Sequence, residues 1–507
     1  MTGVIDTPTN EVAQGAPPLS TRLIAGGAWL ASAQIVRRLT GVLVLAVLAR
    51  LLTPADFGLA SLTFIVVGYV SLFSELGVSS ALVQRQTLTE DHLRSAFWIT
   101  TGGGILLAAL AALLSSPIAR LLGNERLAPL IAVAMLVVPI GGMGQVADAL
   151  LQRRLAFRSI ALIEWASTIL SAVVSVVLAL SGAGVWALVA QSITAALALA
   201  VGRNFAAGWR PGLSFSAPAA RAIMGFGGAA LGVTVIGYLT RTIDNLVVGS
   251  RLGAEALGYY SMAYGLILLP LVTIGGIVIR TASPALASLQ TDRPRLTKAY
   301  LRTVRTLASA TLPMALGIAA VAPELVATVY GPQWQPAVKL LRILAIIGSL
   351  DALNTSGLIF FSIGRLLLLL RYACVSLAVM FAAFVIGSRW GVDGVAWAYV
   401  IASPVIFLGP HVLGDRLISL PLRTHLRAVA PALTSALLMA LVVTASRSVV
   451  ERLVNHVPAR LAVLVTIGAV VYAAALFTWN ALSSEDESPL PFHFASMLRR
   501  IRTGSAS

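Results

Sequence analysis

The sequence predicts an all-α polytopic membrane protein with about fourteen transmembrane helices. Three observations carry this. Hydrophobic residues make up 58% of the 507 residues and charged residues only 11%, against about 45–50% and about 25% in ordinary soluble domains. The apolar residues come in runs of about 18–25, the length that spans a hydrocarbon core of roughly 30 Å. The basic residues gather in short loops between those runs, as membrane topology demands.

Residues 1–20, rich in Thr, Pro, Asn, Gly and Ser, read as a disordered tail. Fourteen spans follow, at 23–49, 57–83, 96–115, 128–150, 159–180, 184–202, 222–250, 257–281, 304–330, 338–363, 366–387, 393–413, 428–445 and 460–481. The first is too long for a signal-peptide core, and no small-residue cleavage site follows it in Ala49-Arg-Leu-Leu-Thr-Pro54, so it is a true first helix. Trp98, Trp209, Trp334, Trp390 and Trp479 close apolar runs, where an aromatic belt belongs. The tail segment 491–502 is basic and amphipathic enough for an interfacial helix, with disorder the competing reading.

Of the 36 Lys and Arg residues, 22 lie in loops on the side of the amino terminus and 10 on the opposite side. The remaining four, Arg37, Arg38, Arg241 and Arg280, fall inside spans. This bias places both termini in the cytoplasm. It also accounts for the net charge of +16 without nucleic acid, and the basic stretches Arg153–Arg158 and Arg293–Arg305 read as topology plus attraction to anionic lipid. Opposite-side loops such as Ser181–Gly184 are a few residues long, so no sizeable soluble domain hangs from the chain. The one cysteine, Cys374, excludes an intramolecular disulfide, and the five histidines show no metal-ligand spacing. There is no Walker A sequence and no nucleophile–base pair, so no catalytic residue, metal or cofactor is assigned and the chain does not read as an enzyme.

An internal repeat appears at an offset of 200 residues. Aligning 23–61 with 223–261 pairs Gly27/Gly227, Leu39/Leu239, Thr40/Thr240, Val47/Val247, Leu52/Leu252, Gly58/Gly258 and Ser61/Ser261. In both copies a long helix ends in a tight polar turn before the next helix opens. Six spans separate the copies, so the repeats are parallel, as in two-lobed transporters. The domains expected are 1–206 (spans 1–6), 207–414 (spans 7–12) and 415–507 (spans 13 and 14 with a cytoplasmic tail).

Three motif blocks then stand in order along the chain: Leu48-Ala-Arg-Leu-Leu-Thr-Pro-Ala-Asp-Phe-Gly58 with Phe73-Ser-Glu-Leu-Gly-Val-Ser-Ser-Ala-Leu-Val-Gln-Arg85; Arg241-Thr-Ile-Asp-Asn-Leu-Val-Val-Gly249 with Leu257-Gly-Tyr-Tyr-Ser-Met-Ala-Tyr264; and Ala322-Pro-Glu-Leu-Val326 with Tyr330-Gly-Pro-Gln-Trp-Gln-Pro-Ala-Val338. Together, from about residue 22 to 445, the chain resembles the polysaccharide-transporter, Wzx-type branch of the multidrug/oligosaccharidyl-lipid/polysaccharide (MOP) exporter superfamily. The resemblance implies two six-helix lobes in a V plus two extra helices. It also implies a flippase of the bacterial inner membrane. Its substrate would be a polyprenyl-diphosphate-linked oligosaccharide for exopolysaccharide, capsule or O-antigen assembly. The protein would work as a monomer beside the polymerase machinery, coupled to H+ or Na+ or driven by the membrane potential.

The candidate site residues are buried charges. A charge at the bilayer centre costs about 2.5–3.5 kcal/mol on insertion scales. Arg37 and Arg38 sit near the midpoint of the first span, and Arg241 lies in the corresponding seventh. Their guanidinium forks match a diphosphate. The competing reading is a structural ion pair, above all between Arg241 and Asp244, three residues on. Glu75, Asp244, Asn245 and Asp351 are the possible charge partners or coupling groups. A cation-coupled drug exporter of the same superfamily would want carboxylates, not arginines, in its cavity. A membrane polymerase or glycosyltransferase would want a large loop that is absent.

Overall fold

A computed structural model describes residues 4–5, 19–75, 78–85, 87–224, 228–289, 292–351, 366–418 and 422–482. Apart from one short strand pairing, the elements in these residues are helical, and by contacts the chain divides into two compact units, Met1–Gly258 and Tyr259–Ser507. The proposed tail helix at 491–502 and Asn354 fall outside the described residues.

In the first unit, β1 (Val4–Ile5) pairs antiparallel with β2 (Leu88–Thr89), with Val4 opposite Thr89 and Ile5 opposite Leu88. Part of the tail read as structureless therefore has a backbone partner. Helix α1 (Leu19–Leu51) leads into α2 (Pro54–Glu75) through a turn that the sequence spells out. Thr53 and Asp56 form a capping box. The Thr53 backbone N–H and hydroxyl both donate to Asp56 Oδ2, at 2.9 and 2.7 Å, and Asp56 N–H donates back to Thr53 Oγ1 at 3.3 Å. Pro54, at the first helical position, has no N–H to leave orphaned. Next come α3 (Val78–Gln84) and α4 (Glu90–Phe97), then a π-helical segment, Trp98–Gly102, that runs into α5 (Gly103–Leu113). The bundle continues with α6 (Ser115–Leu121), α7 (Leu127–Ala134), α8 (Val137–Arg153), α9 (Phe157–Leu180) and α10 (Trp186–Ala207). It ends with α11 (Ala217–Met224) and α12 (Gly228–Leu252).

The repeat has a physical counterpart in this unit. Helix α13 (Ala254–Ser288) opens where α2 opens in the first copy. A Cβ on Gly58 would overlap the Ala254 carbonyl, and one on Gly258 would overlap the Pro54 carbonyl. The offset of 200 maps Pro54 onto Ala254 and Gly58 onto Gly258, so this is one contact made twice. Each copy supplies a glycine against the other's first-turn carbonyl. Small residues are what let helix backbones approach this closely in membranes. Farther along, Gly249 faces the Leu62 side chain and Gly68 faces the Tyr238 ring, which seats α12 on α2.

The second unit contains the rest of α13, then α14 (Arg293–Ala320), α15 (Ala322–Val329) and α16 (Pro336–Asp351). It closes with α17 (Leu366–Gly387), α18 (Gly391–Ile418), α19 (Leu422–Leu453) and α20 (Val457–Leu482). Asp292 caps α14 by accepting from Arg295 N–H at 3.2 Å. Helices α19 and α20, the last two predicted spans, share a core with the end of α14: Ala320, Val321, Met439, Val443, Val450 and Leu464. A buried ion pair reinforces it. Arg447 on α19 makes a two-pronged bridge to Glu324 on α15, Nε–Oε1 at 2.8 Å and Nη2–Oε2 at 3.0 Å, and also donates to the Ala320 carbonyl. The side chains of Arg447 and Glu324 are only 17% and 6% exposed. Arg447 is thus a helical residue with a committed partner, not the loop cation the charge tally took it for.

Eleven segments among the described residues are long and apolar enough to cross a membrane. Every one of the fourteen predicted spans overlaps a helix. Three reasons separate the figures. Helix α12 carries Arg241, Asp244 and Arg251 and is too charged to qualify on hydropathy, and the described part of α16 is 16 residues long. Helices α17 and α18 follow each other so closely that they form one continuous apolar stretch, Arg371–Val405. The protein is a multi-pass, all-α membrane protein.

Candidate functional site

Helix α1 is packed at its ends and open in its middle. Gly26 lies against the Phe157 ring, Trp29 meets Trp165 at 5.8 Å and Ala33 is buried, all along α9; Leu48, Ala49 and Leu52 are buried at the far end. Between them, from Gln34 to Val47, no residue is fully buried. Arg37 and Arg38 occupy this stretch. Arg37 is exposed and donates to Gln34 Oε1 at 2.6 Å; Arg38 is half-buried.

Arg241 sits at a similar transition on α12. Just before it, Ile236 to Thr240 are at most half-buried, with Tyr238 already against α2; from Ile243 to Gly249 the helix is almost wholly buried. The contact is fixed by Tyr69 and Tyr238, edge to face at 4.8 Å, and by Tyr69 Oη within 3.2 Å of Thr242 Oγ1. Arg241 itself is exposed, whereas Asp244 is only 2% exposed. The Asp244 carboxylate accepts from the backbone N–H and the side-chain amide of Asn245, at 2.8 and 3.1 Å. Arg241 and Asp244 do not form an ion pair. Among the described residues, no carboxylate pairs with Arg37, Arg38 or Arg241. The side chains of Glu75, the last residue of α2, and Asp351, the last of α16, lie outside what the structure describes. The three arginines thus occupy two helices of one unit, each at a point where close packing gives way to open surface.

A second polar locus was not picked out from the sequence. Arg203 on α10 pairs with Asp148 on α8 at 3.3 Å, with both side chains at most 20% exposed, and Gln152 donates to the same carboxylate at 2.9 Å. Beside them is a cavity of about 160 Å³ lined by Ser71, Ser74, Gln145 and Arg203 and by the bare faces of Gly141, Gly142 and Gly144. The π segment borders it. Ser74 donates to the Thr100 carbonyl at 3.1 Å, Thr100 Oγ1 donates to the Gly142 carbonyl at 3.2 Å, and a Cβ on Gly142 would come within 2.7 Å of the Thr100 carbonyl. The charge tally placed Arg203 in a loop; it is helical and paired with Asp148.

The basic stretch 153–158 is also more committed than its composition suggests. Arg153 donates to the carbonyls of Leu82 (3.1 Å), Val83 (3.2 Å) and Arg85, closing the carboxyl end of α3. Arg154 does the same for α10 through the Ala207 carbonyl at 2.7 Å, and Arg158 lies over the Trp29 ring at 5.6 Å. Cations at helix carboxyl ends complement the dipole there. Among the described residues no three His, Cys, Asp or Glu side chains come together as metal ligands.

Comparison with known proteins places this architecture. The family described as "Polysaccharide biosynthesis protein" matches residues 47–339, more than half of the chain. The chain belongs to this family. It is 27% identical to the lipopolysaccharide biosynthesis protein WzxC of Escherichia coli (strain K12) over 391 residues, 76% of this chain and 79% of that one. It is also 27% identical to the teichuronic acid biosynthesis protein TuaB of Bacillus subtilis (strain 168), over 90% of this chain and 95% of that one. The succinoglycan biosynthesis transport protein ExoT of Rhizobium meliloti (strain 1021) is 28% identical over 85% of this chain and 87% of its own length. In fold, the family member is similar to a multidrug-resistance MATE family transporter of the MOP superfamily, with a TM-score of 0.60 and 16% identity over 76% of this chain and 94% of that one. A MOP superfamily transporter from Pyrococcus furiosus Vc1 (DSM3638) gives a TM-score of 0.54 at 17% identity, over 79% of this chain and 95% of that one. The Wzx-type resemblance carried by the three motif blocks therefore holds, and the fold is that of the MOP superfamily.

Proposed function

We propose that this protein is a flippase that moves a polyprenyl-diphosphate-linked oligosaccharide across the bacterial inner membrane, from the cytoplasmic to the periplasmic leaflet, for exopolysaccharide, capsule or O-antigen assembly. The observation that carries it is the state of Arg37, Arg38 and Arg241. They lie in mid-span, are not fully buried and have no carboxylate partner among the described residues. Unpaired cations at that depth need an anion, and a diphosphate is the anion that fits guanidinium forks. The relatives named for lipopolysaccharide, teichuronic acid and succinoglycan biosynthesis point to the same class of cargo.

In this mechanism two lobes, residues 1–206 and 207–414, rock in alternating access, with 415–507 outside them and both termini cytoplasmic. The arginines bind the diphosphate; the polyprenyl tail stays in lipid. The protein acts as a monomeric transporter, without a cofactor and without catalytic residues, and hands its cargo to polymerase machinery. Glu75, Asp244, Asn245 and Asp351 are the candidate partner or coupling groups, of which Asp244 is deeply buried.

The test is polymer export in a strain lacking the gene, complemented with R37Q/R38Q/R241Q at matched membrane abundance. A charge-assisted hydrogen bond contributes roughly 1.5–3 kcal/mol, so losing even one productive contact should lower export by about tenfold or more. Lysine at the same positions should rescue poorly, because the charge remains but the fork is lost. Full export by the glutamine variant would remove the cationic site and shift weight to a drug-exporter function.

A further inference from the structure

The nine residues 208–216 connect α10 to α11 and so join the two repeat copies. They form neither helix nor strand. Gly208, at φ 63°, ends α10 in the left-handed conformation that glycine adopts without penalty, and the chain then runs along α4. Alternate residues are tied down. Trp98 Nε1 donates to the Gly212 carbonyl at 3.1 Å, and Arg94 Nη1 donates to Ser214 Oγ at 3.0 Å. Ser95 and Ser216 exchange hydrogen bonds, Oγ to carbonyl at 3.2 Å and N–H to Oγ at 3.0 Å. A side chain at Gly212 would collide with Arg94.

The residues between them face outward. Leu213 is 91% exposed and Phe215 57% exposed. Phe205, on the last turn of α10, is 90% exposed. Arg210 and Arg221 flank this apolar edge and are exposed, and no acidic residue occurs between Glu164 and Asp244.

We infer that the 208–216 connector is an interfacial strap whose outward face, Leu213 and Phe215, inserts at the bilayer surface while Arg210 and Arg221 contact anionic lipid headgroups. A lipid surface fits because α10 is itself an apolar span ending at Ala207, which leaves Phe205 and the strap at the edge of the hydrocarbon slab. Glu90 on the neighbouring α4 is paired with Arg94, and Arg210 and Arg221 are exposed and in no ion pair among the described residues, so they favour anionic headgroups over a neutral surface. The inward hydrogen bonds to Arg94, Ser95 and Trp98 then tie α4 to the same leaflet. This inference needs only a membrane-spanning chain and stands whether or not the cargo is a lipid-linked oligosaccharide.

The experiment uses the full chain in nanodiscs. Cys374 is the only cysteine, so a C374A background accepts single cysteines at 213 or 215 carrying an environment-sensitive fluorophore. Doxyl lipids labelled near the headgroup should quench both probes, and aqueous iodide should reach neither. In discs containing phosphatidylglycerol the R210Q/R221Q variant should lose the extra lipid quenching that the parent shows over neutral discs. Probes quenched by iodide and untouched by doxyl lipid would overturn the strap, including in favour of a protein partner. Lipid quenching that is indifferent to phosphatidylglycerol would overturn the role given to the two arginines.

Discussion

Gly58→Leu should leave little folded protein in the membrane. The atoms a side chain would meet are the backbone of Ala254, its carbonyl oxygen, carbonyl carbon and Cα, so no rotamer change on the far side can relieve the clash. Overpacking by a few methylenes typically costs about 1–3 kcal/mol where neighbours can shift, and more where they cannot. Gly58→Ala should already be destabilising, and Gly258→Ala should match it, because the contact is reciprocal. The control is Gly103→Ala on α5, where nothing lies within 4 Å. There alanine should be neutral or should stabilise by up to about 1 kcal/mol through helix propensity. Thermal unfolding of the purified variants measures the difference. Gly58→Ala as stable as Gly103→Ala would mean that α2 and the start of α13 do not approach as described.

Removing either member of the Arg447–Glu324 pair should be the next most damaging change. With Glu324 almost wholly buried, R447Q leaves a carboxylate without its cation and the Ala320 carbonyl without its donor. Breaking a buried pair from one side costs about 3–5 kcal/mol, whereas replacing both members with apolar residues of similar volume is often neutral. We expect R447Q and E324Q each to lower thermal stability sharply and E324L/R447M to recover most of the loss. Three equal losses would assign the effect to packing of α19 rather than to charge.

The two pairs explain what the sequence could and could not disclose. Span lengths and the repeat were legible because the hydrocarbon thickness and the 200-residue offset leave direct marks on composition and spacing. Arg203 and Arg447 were misplaced for the reason that made the tally work elsewhere: a cation beside an apolar run reads as a loop. Their partners, Asp148 and Glu324, are on other helices, 55 and 123 residues away, and only packing brings them together. The break of the third span into α4, a π segment and α5 was equally invisible, since it depends on Thr100 meeting Gly142 across the bundle. Arg37, Arg38 and Arg241 stood out because charge in mid-span is anomalous on any background. The i+3 spacing left the pairing of Arg241 with Asp244 open. The structure closes that option because the two residues lie on different faces of α12: Asp244 is buried, whereas Arg241 is exposed.

The measurement that bears most directly on function is translocation by the purified protein. Polyprenyl-diphosphate-linked oligosaccharide is distributed over both leaflets of proteoliposomes, a proton or sodium gradient is imposed, and an impermeant glycosidase is added outside. With the wild-type protein the digestible fraction should rise from the outer-leaflet share to nearly the whole pool, and with R37Q/R38Q/R241Q it should stay at the outer-leaflet share. An inner-leaflet pool that remains protected in the presence of wild-type protein, or equal digestion with the triple variant, would contradict a flippase built on these arginines.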